Sequence, residues 1–380
     1  MFAGAGGMAL GVHRAGFEHL AVNELDPFAC NTLRVNHPWE VLEADSRDVD
    51  WAVYAGDVDL LGAGAPCQPF SVAGRALGDG DNRNLFPETI RAVHQIRPRA
   101  VLLENVKGLG RPAFTQYLRY ILESLAVPHV RPKPSEPWER HRARVRKASK
   151  AAEQTYTVFG PHDIDAADLG VPQNRHRLFV VAFRFDVDHT SFAWPEPTHT
   201  RDSLIWDQLH GPYWDEHNLP RADPPAGNRK CSVALRARLT AEERPTSKRW
   251  RTVRDALEGL PAPGEPGVDQ HEPTTTRATT YHGHTGNLLD WPGKTVKAGV
   301  HGVAGGEGIL RLDNGTRRRM TVRETARLQT FPDDWHVDGP RSRALRQLGN
   351  AVPVIVAEAL ASSIRSVLEA DTLDTIPRSS

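Results

Sequence analysis

The chain has 380 residues, 39% of them hydrophobic, with 47 Lys or Arg balanced by 47 Asp or Glu. These values fit a soluble globular protein of about two or three domains. With zero net charge, an anionic partner has to be held by local basic patches and not by the overall field. No run approaches the roughly 18 apolar residues a bilayer span needs, and the first residues lack the charged and apolar regions of a signal peptide, so no membrane partner is expected. Cys30, Cys67 and Cys231 are odd in number and lack metal-ligand spacing, which points to no metal and to free thiols in a reducing, cytoplasmic setting.

Residues 2–16 read as a glycine-rich turn entering a helix, with Gly4-Ala5-Gly6-Gly7-Met8-Ala9 at its start. Glycines let backbone approach a ligand closely, and the first amides of a helix bind polar ligand groups. Glu24, at the end of the next apolar segment, can accept hydrogen bonds from a ribose diol, as in nucleotide-binding α/β folds. The pattern suits a dinucleotide-binding dehydrogenase as well as a methyl-donor site, and also a plain turn with a solvent-facing Glu. Such a turn should follow a buried strand, yet only Met1 precedes Phe2. We therefore expect the native chain to start upstream, because the missing burial is worth roughly 1.5 to 3 kcal/mol per large side chain.

Asp26-Pro27 starts a helix, with Asp26 as N-cap and Pro27 at the first helical position. A short strand over 41–44 leads to Asp45, whose carboxylate could accept an exocyclic amine or simply face solvent. The apolar run around Leu60 and Leu61 enters Ala65-Pro66-Cys67-Gln68-Pro69-Phe70-Ser71, where two prolines restrict the peptide around the thiol. A flexible stretch follows at 74–80 and a helical pattern through Ile90, Val93 and Ile96. The strand 100–103 then ends at Glu104-Asn105-Val106. A strand-end carboxyl beside a strand-end thiol is what a cleft across a parallel sheet provides. Alternating strands and helices imply a doubly wound α/β domain.

Segment 131–150 carries eight Lys or Arg, a solvated helix or a phosphate-contacting arm. In 170–177, extended backbone would put Gln173, Arg175 and Arg177 on one face, a row of guanidinium groups suited to phosphate or a base edge. From 184 to about 317 the periodicity is weak. Trp194, Trp206, Trp214, Trp250 and Trp291 fall here, as core residues of a separate loop-rich domain or as base-stacking groups. Gly302 to Gly308 reads as a glycine-dense loop. Thr321 with Glu324 fits a capping box in a basic helix. Gln347-Leu348-Gly349-Asn350-Ala351-Val352-Pro353 leads into a final helix with Val356, Leu360, Ile364, Val367 and Leu368 at helical spacing.

Taken together, Phe2-Ala3-Gly4-Ala5-Gly6-Gly7, Pro66-Cys67-Gln68-Pro69, Glu104-Asn105-Val106, Gln173-x-Arg175-x-Arg177, Arg319-x-Thr321-x-x-Glu324 and Gly349-Asn350-x-Val352 resemble, in order, the motifs of the DNA (cytosine-5) methyltransferases. The resemblance runs from residue 1 to about 365 and leaves 184 to about 290 without motif support. It implies a Rossmann-like doubly wound catalytic domain over 1–183, completed by 340–380, and a smaller loop-rich target-recognition domain over 184–339. S-adenosylmethionine is then the methyl donor, with Phe2, Gly4, Gly6, Glu24, Asp45, Leu85, Asn350 and Val352 as its site.

By the same resemblance Cys67 attacks carbon 6 of cytosine, which makes carbon 5 able to accept the methyl group. Glu104 acts at ring nitrogen 3, and Arg175 lies near the base carbonyl or thiolate. Arg177, Arg319 and Arg323 contact DNA. The target base must leave the duplex. Double-stranded DNA is the expected partner of a monomer, with a restriction endonuclease as functional counterpart. An RNA cytosine-5 methyltransferase of the same family and an inactive DNA-binding homologue are the alternatives.

Overall fold

The glycine turn leads into helix α1 (Gly7–Arg14), followed by strand β1 (Val22–Glu24), helix α2 (Pro27–Asn36) and strand β2 (Val41–Glu43) in the computed structural model. The model describes residues 1–66, 85–221, 233–275, 278, 286–298 and 308–374. Cys67, Cys231, the 74–80 stretch and all but Gly308 of the glycine-dense loop lie outside the described residues. Asp26 caps α2 as its sequence implies, its Oδ1 accepting from the Phe28 and Ala29 amides at 3.0 and 3.4 Å. The chain divides into two compact units, Met1–Ile164 with His176–Pro195 and Ala357–Ser380, and Asp165–Arg175 with Glu196–Val356.

In the first unit, strand β3 (Leu60–Ala63), helix α3 (Phe86–Ile96), strand β4 (Ala100–Val106), helices α4 (Thr115–Ala126) and α5 (Trp138–Lys150), and strands β5 (Tyr156–Asp165) and β6 (His176–Arg184) follow. They form a four-stranded sheet of order β3-β4-β6-β5, and β1 and β2 pair separately. β3 and β4 are parallel; β6 runs antiparallel to β4, with Glu104 opposite Phe179 and Val106 opposite Arg177. β4 is apolar from Ala100 to Leu103 because both its faces are covered, and all four residues are buried. Leu61, Val93, Ile96, Val101 and Val180 make one core around it, each worth about 1.5–3 kcal/mol on burial. Among the described residues no strand links β1 to β3. The Ala3 amide donates to Asn23 O at 3.0 Å and the Met1 amine to Gly62 O at 2.7 Å, one bond to each side.

The last helix, Val354–Asp374, enters this unit from Ala357. By length and hydropathy alone, Arg341–Thr372 reaches the range of a membrane span. Its apolar residues Leu360, Ile364, Val367 and Leu368 are buried in the protein, and Arg99 Nη2 ties it down through Asp371 Oδ2 at 2.8 Å.

The second unit has short strands and two apolar clusters. Leu204, Ile205, Tyr213, Trp214, Leu239, Trp250 and Trp291 form one, and Val253, Leu289, Val296, Leu310, Met320 and Leu328 the other. Trp214, Trp250 and Trp291 are thus core residues, while Trp194 belongs to the first unit, stacked on His162 with ring centroids 4.6 Å apart. Arg249, half-buried, binds the buried side chains of Asp207 and Asp255 and the exposed Glu216 at 2.7 to 3.2 Å, a charge cluster that adds order where long elements are few.

The division differs from the sequence expectation in three places. Residues 165–175 and 340–356 fall in the second unit, and 184–195 falls in the first. A strand-like pattern says where chain is extended, not which core it joins.

Candidate active site

Phe2, Gly4 and Gly6 all have positive φ, at 55°, 54° and 86°. For Phe2 this is an uncommon backbone state, held here by the bonds of its neighbours. Gly4 faces open space where a Cβ would stand, and its amide donates to Glu24 Oε2 at 2.7 Å. Glu24 Oε1 accepts from the Leu25 and Asp26 amides at 2.8 and 2.9 Å. The carboxylate is fixed at the end of β1, and each of its oxygens keeps accepting capacity.

Asp45 lies just past β2, its oxygens held by Arg47 Nε and Nη2 at 2.9 and 2.6 Å. These hydrogen bonds hold its carboxyl down at about 2. Leu85 precedes α3 as its cap residue. The sequence gives no notice of the Arg47 fork, since a pair two residues apart looks like two surface charges.

Glu104 and Arg177 form an ion pair near the ends of β4 and β6. Arg177 Nε lies 2.9 Å from Glu104 Oε1, with side chains only 14% and 10% exposed. Antiparallel pairing places Arg177 opposite Val106, on the same sheet face as Glu104. A Cβ at Gly64 would stand 3.5 Å from Glu104 Oε2, so the segment leading toward Cys67 passes beside the carboxyl. Asn105 Nδ2 donates to Ala65 O at 3.2 Å and steadies that segment.

Arg175 is placed differently from expectation. It belongs to the second unit, is 1% exposed, and donates to Val296 O from Nη1 and to Gly349 O and Ala351 O from Nη2, each at 2.8 Å. Gln173 joins the same network, its Nε2 donating to Leu328 O and Gln329 Oε1 at 3.1 Å and its Oε1 accepting from the Val296 amide at 2.8 Å. Gln329 Nε2 donates to Leu348 O at 2.5 Å and Ala351 O at 3.2 Å. Helix Arg341–Asn350 ends at this network. Asn350 is exposed and Val352 buried. At Gly349 an added Cβ would stand 2.4 Å from the Ala298 amide nitrogen. Arg175 is thereby a structural clamp of the 349–351 turn, and the guanidinium beside Glu104 is that of Arg177.

Arg323, expected to contact DNA, is 1% exposed and donates to Asp269 O, Pro332 O and Trp335 O at 3.0 to 3.2 Å, so it ties loops together. Arg319 sits half-buried on strand Arg317–Arg319. The capping box of Thr321 and Glu324 is present.

A glycine loop with a strand-end carboxyl on β1, and a Glu–Arg pair near the ends of β4 and β6 in the same α/β unit, suit a nucleotide-cofactor enzyme with an acid–base centre. The sequence profile of C-5 cytosine-specific DNA methylases matches residues 1–127 and 140–366. The chain is 34% identical over 375 residues to the type II methyltransferase M.NgoMIV of Neisseria gonorrhoeae, covering 97% of this chain and 96% of that one. It is 33% identical to M.Eco47II of Escherichia coli, covering 97% and 78%. In fold it is similar to the Dnmt2 methyltransferase of S. pombe, with TM-score 0.58, 17% identity and 97% of each chain covered. The chain belongs to the C-5 cytosine-specific DNA methylase family and is a DNA cytosine-5 methyltransferase.

Proposed function

We propose that Cys67, Glu104 and Arg177 carry out methyl transfer to carbon 5 of a cytosine extruded from duplex DNA. The observation behind this reading is the Glu104–Arg177 pair at 2.9 Å beside the segment that runs toward Cys67. Enzymes of this family use S-adenosylmethionine, which when bound supplies an electrophilic methyl group. The residues fit it: Gly4 opens onto space, its amide bonded to a fixed Glu24 with acceptor capacity for a ribose diol. We assign that hold to Phe2, Gly4, Gly6 and Glu24, with Asp45 accepting an adenine amine alongside its Arg47 fork.

The Cys67 thiolate adds to carbon 6 of the ring, and Glu104 shares its proton with nitrogen 3 as electrons move onto the ring. Carbon 5 becomes enamine-like and accepts the methyl group. Arg177 holds Glu104 by charge-assisted hydrogen bonding and offers its remaining N–H groups to the base carbonyl. Loss of the carbon 5 proton to water lets the Cys67 sulfur leave with its electron pair, and nitrogen 3 returns its proton to Glu104. Base extrusion is required because carbons 5 and 6 cannot be reached inside the stack, and Arg319 is assigned a phosphate contact.

Transfer of label from methyl-tritiated donor to duplex DNA tests the reading, and label on tRNA alone would overturn it. Duplex containing 5-fluorocytosine should trap a covalent adduct at Cys67. We further infer that the enzyme modifies one short DNA sequence, as a cytoplasmic monomer paired with a restriction endonuclease of the same specificity. Bisulfite sequencing of DNA from expressing cells would give that sequence.

A further inference from the structure

Helix α5 is fixed to the first unit by one face only. His141, Val145 and Ala148 are buried there, and His141 is held by Tyr120 Oη at Nδ1 and by Val130 O at Nε2, both at 2.7 Å. Trp138 packs edge-on against Tyr117 with centroids 5.4 Å apart. Two of the arginines serve this mounting: Arg142 forks onto Glu123 at 2.6 and 3.0 Å, and Arg144 onto Glu136 at 2.7 and 3.0 Å.

The other four cations, Arg140, Arg146, Lys147 and Lys150, are exposed. At 100° per residue they fall within an arc of about 120°. Among the described residues none of them has an ion-pair partner. Glu139, in the first turn, is the one acidic residue of the helix on that side. From Arg140 to Lys150 the helix rises about 15 Å. One strand of a duplex presents a phosphate about every 3.4 Å of axis, hence about four over that length. The chain has no net charge, so this concentration of positive charge has acidic regions elsewhere as its counterpart. The stretch at 128–139 leading into the helix also lies outside the family match.

We propose that this face of α5 is a docking surface for the duplex DNA backbone, separate from the residues assigned to the target cytosine. The proposal rests on the reading of the chain as a duplex-DNA methyltransferase. Four lysine or arginine contacts to phosphate add affinity without sequence preference and hold the enzyme on DNA between target sites.

The experiment measures binding of the full chain to a 40-bp duplex lacking any methylation site, across a salt series, together with methyl transfer to cognate DNA. The variant Arg140→Gln, Arg146→Gln, Lys147→Gln, Lys150→Gln should lower the slope of log affinity against log salt by about 3.6, at about 0.9 per contact. Its affinity near 0.1 M salt should drop at least about tenfold, with thermal unfolding unchanged. The two paired variants, Arg140→Gln with Lys147→Gln and Arg146→Gln with Lys150→Gln, should each show about half the slope change. An unchanged slope in the paired variants, with methyl transfer intact in the unmodified protein, overturns the docking surface alone. A protein that neither binds duplex nor methylates it overturns the docking surface and the underlying reading together.

Discussion

Arg175→Ala separates the role given by the structure from the role that the motif suggests. In the structure the guanidinium donates three hydrogen bonds at 2.8 Å to the carbonyls of Val296, Gly349 and Ala351, with the side chain 1% exposed. Hydrogen bonds from a charged donor contribute about 1.5–3 kcal/mol each, but the three share one group and are not additive. Truncation also leaves buried carbonyls unpaired and a cavity, so the loss should be about 4 kcal/mol. For a domain of this size about 2–4 °C of melting temperature corresponds to each kcal/mol, which gives a fall of roughly 8–16 °C. Arg175→Lys should fall between, because one ammonium cannot span carbonyls reached by two separate nitrogens. Circular dichroism melts and methyl transfer, both read as a function of temperature, check this. Activity at low temperature should follow the folded fraction. A variant that melts like the parent and yet transfers no methyl group would refute the clamp and return Arg175 to the reacting base.

Arg177→Ala should lower kcat by about 10²–10³, the effect of removing one charge-stabilising donor, and Arg177→Ala combined with Glu104→Gln should cost little more than the worse single change in single-turnover assays. Arg323→Met should lower the melting temperature while leaving the salt slope of duplex binding unchanged, whereas Arg319→Gln should reduce that slope by about 0.9. Gly349→Ala forces a methyl group to within 2.4 Å of the Ala298 nitrogen, so backbone must move and stability should fall by about 1–3 kcal/mol in a denaturant titration. Burial holds the His19 imidazole down at about 4 from 6.5, so as pH falls the unfolded chain binds the proton first. Stability present above pH 6.5 is then lost between 6.5 and 4. The loss is about 2 kcal/mol after allowance for partial exposure, and His19→Gln should flatten that part of the melting-versus-pH curve.

The sequence disclosed the parts of this protein that depend on local chemistry. Asp26-Pro27 as a helix start, Thr321 with Glu324 as a capping box, and the apolar run of β4 all follow from contacts within a few residues, and each is found in the structure. The glycine turn and the strand-end carboxylate were legible as geometry, with positive φ at Gly4 and Gly6 and Glu24 closing β1, although the pattern alone suits more than one ligand and also a plain turn. The arginine assignment was not legible, for a definite reason. Extended backbone over 173–177 would put Arg175 and Arg177 on one face, but β6 begins at His176. Gln173 instead makes an isolated bridge to Gly293. Once the chain leaves regular pairing between the two arginines, the period of two no longer relates their side chains. Arg175 turns to carbonyls more than a hundred positions away in sequence, and Arg177 to Glu104 across an antiparallel ladder. The same limit explains Arg323: a basic helix looks like a DNA-facing helix until loops at 269, 332 and 335 are seen to bring their carbonyls to its guanidinium. Charge in a sequence therefore predicts a nucleic-acid contact only after buried acceptors have been counted. By that criterion the cations of α5 divide cleanly, with Arg142 and Arg144 consumed by Glu123 and Glu136 and the exposed four left facing solvent.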